Sequence, residues 1–457
     1  HLTDDQRSCI RGALQPWPLV CITGPPGTGK TTVITEIVCR FLAAHPTARI
    51  LVTSQSNVAV DNALERIALR DPDLPISRVG RLDRIAAAVS ALELRTQSDA
   101  MADRVADEVG LADEALELRR AWKRLVRDER VRKGIIAAHS AVVGATCSGA
   151  GSFDLQFDRF DLVIVDEAGR ATASETLVPL RLGRRAILVG DEAQLPPVVT
   201  DTDAAVAREI ASSDEELARL HRSLFADVRR RLPPGAQFLL RTQFRMGETL
   251  GNTVSDLFYD GELRNGRRST YELGPVEMAW FDTSACADLH AFRQTGGGED
   301  SLRNTGEQRV VAQVLELLDR IAGRGGRGRS SVLVLTPYAA QHEDLKSALA
   351  QRRYRRLDVR VGTVDSVQGY EADAVVCSFV RTAGGNRFIA DRHRLNVAMS
   401  RARHHFCLVA HADHLLQGGD AHSRALFGAL HAQIQAAGEI VPVRPRPAWR
   451  SSHANPT

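Results

Sequence analysis

Gly24-Pro25-Pro26-Gly27-Thr28-Gly29-Lys30-Thr31 matches the pattern G-x-x-x-x-G-K-[ST], and its flanks decide how it is read. An apolar run, LVCIT, occupies residues 19–23 before it, and residues 33–42 follow with a helical pattern. A strand entering a glycine-rich turn that opens a helix lets backbone N–H groups close around phosphate oxygens. The positive end of the helix dipole lies behind them. In this reading Gly24, Gly27, Thr28 and Gly29 form the cradle, with Thr32 on the following turn. Lys30 neutralises the β and γ phosphates of ATP, and the Thr31 hydroxyl ligates Mg²⁺.

Residues 160–165 form a second apolar run that ends on Asp166 and Glu167. Two acids at the carboxyl end of a buried strand lie where open α/β sheets bind ligands. Asp166 is expected to hold Mg²⁺ and Glu167 to polarise an attacking water.

Short apolar runs of this kind recur at 50–53 and 187–189, then at 238–240, 332–335, 375–379 and 406–410, between helical patterns. The alternation predicts α/β units with buried parallel strands. The runs fall into two sets, and Pro233-Pro234-Gly235 marks the border between them. The expected organisation is a first domain at residues 1–70 and 136–235, interrupted by a helical insertion at 71–135, and a second domain at 236–437. Leu111, Ala115, Leu118 and Trp122 give the insertion its spacing of three and four. Residues 323–329, GRGGRGR, read as a loop between helix and strand or as an RGG-type grip on single-stranded nucleic acid. The Pro- and Arg-rich tail, 438–457, reads as disordered.

Composition excludes several classes. The chain has 457 residues, enough for more than one core, with 44% hydrophobic and 25% charged residues. No apolar run approaches the roughly 20 residues that span a bilayer, so no membrane partner is expected. The net charge of +3 does not by itself point to nucleic acid. Lysine occurs only at 30, 123, 133 and 346; the other basic residues are arginines, which suit phosphate recognition and also arise from GC-rich coding. Seven cysteines, none in C-x-x-C spacing, indicate neither zinc nor a disulfide framework and fit a reducing, cytoplasmic setting. His404-His405 would point to opposite faces of a strand and cannot share a metal. Residue 1 is His, and the chain is expected to be part of a longer protein.

Four further segments carry a family resemblance. Residues 187–197 (ILVGDEAQLPP), 239–246 (LLRTQFRM), 361–371 (VGTVDSVQGYE) and 395–403 (LNVAMSRAR) resemble motif III, the L-x-x-Q-Y-R-M segment, motif V and motif VI of superfamily 1 helicases. Leu2-Thr3-x-x-Gln6 resembles the Q motif. The nearest group is 1B, which includes the nonsense-mediated-decay helicase and the Okazaki-fragment nuclease-helicase.

The resemblance implies two tandem RecA-like domains with parallel sheets, the first carrying a helical insertion. It also implies an ATP-dependent helicase or translocase, moving 5′→3′ on single-stranded DNA or RNA and hydrolysing ATP at the interdomain cleft. An ATP-gated clamp that separates few strands is the alternative, and a P-loop signalling module is disfavoured. Lys30, Asp166, Glu167, Gln194, Arg245 and Arg401 are the expected catalytic set. Gln6, Phe244, Gly369 and Glu371 join the cradle in holding the nucleotide, Phe244 standing where the family has Tyr. Motifs Ia, Ib, IV and V place Ser56, Asn57, Thr146, Pro337, Tyr338 and Thr363 against nucleic acid, with Tyr338 either stacking on a base or packing in its own domain. Gly169 stands where relatives often have Ala or Ser, a change expected to tune coupling rather than hydrolysis. A monomer is expected, with an upstream β-barrel in the full protein.

Overall fold

The computed structural model describes residues 2–108, 128–152, 154–155, 158–198, 222–266, 276–286, 292–293, 301–322, 328–367, 369–386 and 389–444. It divides into two compact units, residues 1–241 and 242–457.

The first unit is built on seven parallel strands: β1 (Leu19–Thr23), β2 (Ile50–Ser54), β3 (Ile76–Val79), β4 (Val142–Thr146), β5 (Leu162–Asp166), β6 (Ala186–Gly190) and β7 (Gln237–Leu239), ordered β3-β4-β2-β5-β6-β1-β7. Each central strand buries both faces, which is why it reads as an unbroken apolar run. Alternate residues feed two cores. Val20, Ile22, Ile50, Val52 and Ile164 pack on one face with the helices Lys30–Ala44 and Asn57–Arg70. Cys21, Leu51, Val163, Val165 and Leu188 pack on the other.

The second unit is built on β10 (Met278–Asp282), β13 (Ser330–Thr336), β14 (Leu357–Thr363), β15 (Ala372–Ser378), β16 (Ala402–Ala410) and β17 (Glu439–Pro442), again parallel, in the order β14-β13-β15-β16-β10-β17. Two short ribbons accompany it: β8 (Thr242–Gln243) with β9 (Arg264–Asn265), and β11 (Phe292–Arg293) with β12 (Leu302–Arg303).

Three expectations change. The border lies after Arg241 rather than at 235, because residues 237–239 hydrogen-bond along β1 and complete the first sheet. The stretch 71–135 is not wholly a helical insertion: β3 lies inside it as an edge strand paired with β4. Its sequence ISRV hid it, because Arg78 is fully buried there and satisfied by Asp61. Helices do follow at Leu94–Glu108 and Glu129–His139, while Leu111, Ala115, Leu118 and Trp122 lie outside the described residues. The tail begins later than 438, since β17 pairs with β10 and the Val443 N–H donates to the Asp282 carbonyl at 2.8 Å. Residues 445–457 lie outside the described residues, as do 323–327 of the GRGGRGR stretch. Arg329, at its end, donates from Nε to the Leu357 carbonyl at 3.1 Å.

A buried polar network supports the carboxyl end of the second sheet. Glu307, on the helix Thr305–Ala322, accepts from Ser378 Oγ at 2.7 Å and from the Val380 N–H at 2.8 Å. Val380 has a φ of 70°, a left-handed conformation that costs a β-branched residue on the order of 1–3 kcal/mol. The Glu307 bond and a donation from Asn304 Nδ2 to the Val380 carbonyl at 3.1 Å hold it there. Burial pushes the Glu307 carboxyl up to about 7, against the opposing pull of Ser378 and Val380. The native state therefore holds a proton that the unfolded chain has lost above its ordinary carboxyl range. That contribution is full below the unfolded value and disappears as pH rises through about 7. Glu307→Gln keeps an acceptor without the titration. Its thermal midpoint is expected to fall less than the wild type's between pH 6 and pH 8, and parallel profiles in thermal melts would refute this assignment.

Candidate nucleotide and nucleic-acid site

In the first unit, strand register brings the polar residues together. Ser54 pairs with both Thr146 and Asp166, and Thr23 with Gly190, so the carboxyl ends of β4, β2, β5, β1 and β6 form one edge. The phosphate-loop motif leaves this edge from β1. Gly27 and Gly29 have φ of 75° and 80°, which a β-carbon would strain. At Gly29 a Cβ would also lie 2.8 Å from Gln6 Nε2. Gln6 itself donates to the Thr28 carbonyl at 2.9 Å and caps its own helix, Asp4–Ala13, with Thr3. Thr28 Oγ1 donates to the Pro25 carbonyl at 2.7 Å, and Lys30 Nζ to the Gly24 carbonyl at 2.8 Å, curling the lysine over the loop. No side chain caps the helix Lys30–Ala44, which leaves its first N–H groups turned to the loop. Thr32 Oγ1 accepts from Arg66 at 3.2 Å.

Asp166 is buried at the end of β5. Burial, then the Glu167 charge, push its carboxyl up, and Lys30 pulls it back. A buried carboxylate with this balance suits a cation, and with the Thr31 hydroxyl it offers oxygen donors of the kind Mg²⁺ takes. Glu167 has a φ of 53°, and its N–H donates to Asp166 Oδ1 at 2.9 Å. This turn reverses the chain off the strand end. The next N–H, from Ala168, donates to the Val189 carbonyl at 2.8 Å. Gly169 has a packing reason: a Cβ there would lie 2.8 Å from the Asp191 carbonyl oxygen. Gln194 is buried and donates to Asp191 Oδ2 at 2.7 Å. Asp191 was not among the expected site residues, although it lies in the quoted motif.

The nucleic-acid candidates of this unit are structurally engaged. Ser56 Oγ accepts from the Ala59 N–H at 3.2 Å, and Thr146 Oγ1 from the Gly149 N–H at 3.1 Å. Asn57 Oδ1 accepts from Arg78 Nη2 at 2.8 Å, and Arg78 Nε reaches Asp61 at 2.7 Å. Neither Arg78 nor Asp61 was expected here. A single charged residue in a strand carries no signal until its buried partner is seen.

The second unit gathers the other charged candidates around Glu371. Arg245 donates from Nε to Glu371 at 2.7 Å and from Nη1 to the Ser400 carbonyl at 3.0 Å. Arg403, also unexpected, binds the other Glu371 oxygen and lies 3.6 Å from Asp373. Burial raises the Glu371 carboxyl, but Arg245 and Arg403 outweigh it and hold it below the usual range. Arg401 is buried, donating to the Val397 carbonyl at 3.2 Å and the Tyr370 carbonyl at 3.4 Å. Gly369 takes a φ of 82° beside them. Phe244 is exposed, and Gly266 leaves room for its ring. At the strand ends Thr336 pairs with Thr363, and the Thr363 N–H donates to Ser366 Oγ at 3.0 Å. Pro337 is half-buried in the same loop. Of the two readings of Tyr338, the structure favours packing: the residue is 8% exposed and its hydroxyl accepts from Arg381 Nε at 2.6 Å.

Two family models, each described as an AAA domain, match residues 1–117 and 95–202 and residues 220–413. An uncharacterised ATP-dependent helicase of Methanocaldococcus jannaschii is 26% identical over 91% of this chain and 69% of its own length. DNA polymerase alpha-associated DNA helicase A of Schizosaccharomyces pombe is 28% identical over 90% and 63%. The Drosophila melanogaster homolog of regulator of nonsense transcripts 1 is 31% identical over 88% and 34%. The chain belongs to the superfamily 1 helicases. It spans less than two thirds of the length of the second and third of these relatives.

The two clusters differ in the groups they offer. The first unit offers backbone N–H groups, a lysine and two acids, a set suited to holding and hydrolysing a polyphosphate. The second offers guanidinium groups positioned by a carboxylate. Lys30→Ala is expected to weaken nucleotide binding by at least tenfold, by loss of a charge-assisted contact. Glu167→Gln is expected to bind ATP normally and hydrolyse it at least a hundredfold more slowly. Hydrolysis by the Glu167→Gln protein at the wild-type rate, in a phosphate-release assay, would remove Glu167 from the chemistry.

Proposed function

We propose that this chain is an ATP-driven motor that moves 5′→3′ along single-stranded DNA or RNA. The observation that carries the proposal is the placement of Asp166 and Glu167 at the same sheet edge as the Lys30 loop. Family membership and the arginine cluster on Glu371 support it.

In this proposal the loop N–H groups and Lys30 bind the ATP phosphates, while Gln6 and the exposed ring of Phe244 hold the base. Glu167 orients the attacking water and accepts its proton. Gln194, fixed by Asp191, lies at the γ-phosphate. Mg²⁺, held by Thr31 and Asp166, would neutralise charge on the β and γ phosphate oxygens. Arg245 and Arg401 supply positive charge to the transferring phosphoryl group, whose negative charge spreads over its oxygens in the transition state. Glu371 holds Arg245 ready for that role. Ser56, Asn57, Thr146 and Thr363 grip phosphate and sugar at strand ends, a mode that binds any sequence. The chain acts as a monomer.

The test is strand displacement. With ATP, the protein is expected to unwind a duplex carrying a 5′ single-stranded tail and to displace streptavidin from the 3′ end of a labelled strand. Displacement from the 5′ end alone would overturn the polarity. ATP hydrolysis stimulated by single strands without displacement would favour an ATP-gated clamp.

A further inference from the structure

We propose that the β14 edge of the second sheet is an additional binding surface for the phosphodiester backbone of nucleic acid, continuous with the strand-end contacts and resting on the motor reading above. A cavity of about 660 Å³ opens beside the start of β14, between it and the end of the helix Ala339–Ala350. Arg329, Lys346, Arg352, Arg353 and Arg360 line it, and Asp358 is the one carboxylate among the lining residues. Lys346 is one of only four lysines in the chain.

Some of these cations are already committed. Arg352 pairs with Glu316 at 2.6 Å, and Arg329 donates to the Leu357 carbonyl. Lys346, Arg353 and Arg360 are exposed and have no carboxylate partner among the described residues. Uncompensated like charges on one concave surface repel each other, and an anion relieves that repulsion.

The geometry favours a chain-like anion. β14 runs from Leu357 to Thr363, roughly 20 Å at the usual rise of a strand. The cavity borders β14 from Leu357 to Val361, Arg360 included, and Thr363 lies at the strand's end, where Thr336 pairs with it. Arg360 lies over Tyr370, its guanidinium carbon 3.8 Å from the ring centroid, which restrains the cation. Arginine, the majority cation here, matches phosphate oxygens in pairs. Several cations around one cavity, with Arg360 on the strand that ends at Thr363, suit a chain of linked phosphates. Thr363, at the end of the same strand and a nucleic-acid contact in the motor reading, selects nucleic acid over an acidic peptide.

The experiment compares the full chain with the variant Lys346→Gln/Arg353→Gln/Arg360→Gln and the charge-keeping variant Lys346→Arg/Arg353→Lys/Arg360→Lys. The probe is a duplex with a single-stranded tail, titrated over a range of salt. The neutral variant is expected to bind about tenfold more weakly at matched low salt, with a log–log salt slope shallower by about two. The charge-keeping variant should keep the wild-type salt slope, since that slope counts charges. ATP turnover without nucleic acid, and its stimulation by a short single-stranded oligonucleotide, should be unchanged in all three. Equal affinities and slopes for the wild type and the neutral variant would overturn the edge site alone. Loss of poly-glutamate binding in the neutral variant, with duplex binding intact, would also overturn it. A wild-type chain that binds no nucleic acid would overturn both this inference and the motor reading.

Discussion

Burying the carboxylate of Asp166 at the end of a parallel strand is unfavourable in isolation, and the first unit is arranged around what offsets it. Desolvation and the neighbouring Glu167 charge both raise the cost of ionising it, while Lys30 lowers that cost. A parallel sheet makes this placement possible. All its strands end on the same side, so β1, β2, β4, β5 and β6 deliver loops to a single edge. Burial of Asp166 strengthens charge–charge interactions there, and the loop after β1 supplies backbone N–H groups. The constraint reaches into the backbone: Glu167 occupies a left-handed conformation, and a Cβ at Gly169 would press on the Asp191 carbonyl unless the backbone shifted.

The second unit faces a different demand, holding guanidinium groups together in place. Glu371 does this by accepting from Arg245 and Arg403 through its two oxygens. The geometry sets the side chains in advance, so ordering them further would cost little rotamer freedom. The same logic explains the network around Glu307 and Val380. A strained residue at a sheet end persists because two hydrogen bonds hold it.

Much of this was legible because buried parallel strands write themselves as apolar runs and phosphate loops need glycine at fixed places. The Lys30 loop, the Asp166–Glu167 strand end and the alternation of strand and helix all follow from those two facts. What escaped notice has a physical reason in each case. β3 carries a buried Arg78 that reads as surface until Asp61 is placed beside it. β14 alternates charged and apolar residues because it is an edge strand, so no apolar run marks it. β7 belongs to the first sheet because of a hydrogen-bond ladder with β1 that no local pattern encodes. Arg403 and Asp191 lay inside quoted motifs, but their roles depend on partners 32 and 3 residues away.

The most direct measurement is the steady-state rate of ATP hydrolysis by the full chain, with and without saturating single-stranded DNA or RNA. A motor whose nucleic-acid contacts and phosphate site are coupled hydrolyses ATP at least several-fold faster when one of these polymers is bound. A rate that stays the same with both polymers, in a chain that binds them, would contradict that coupling.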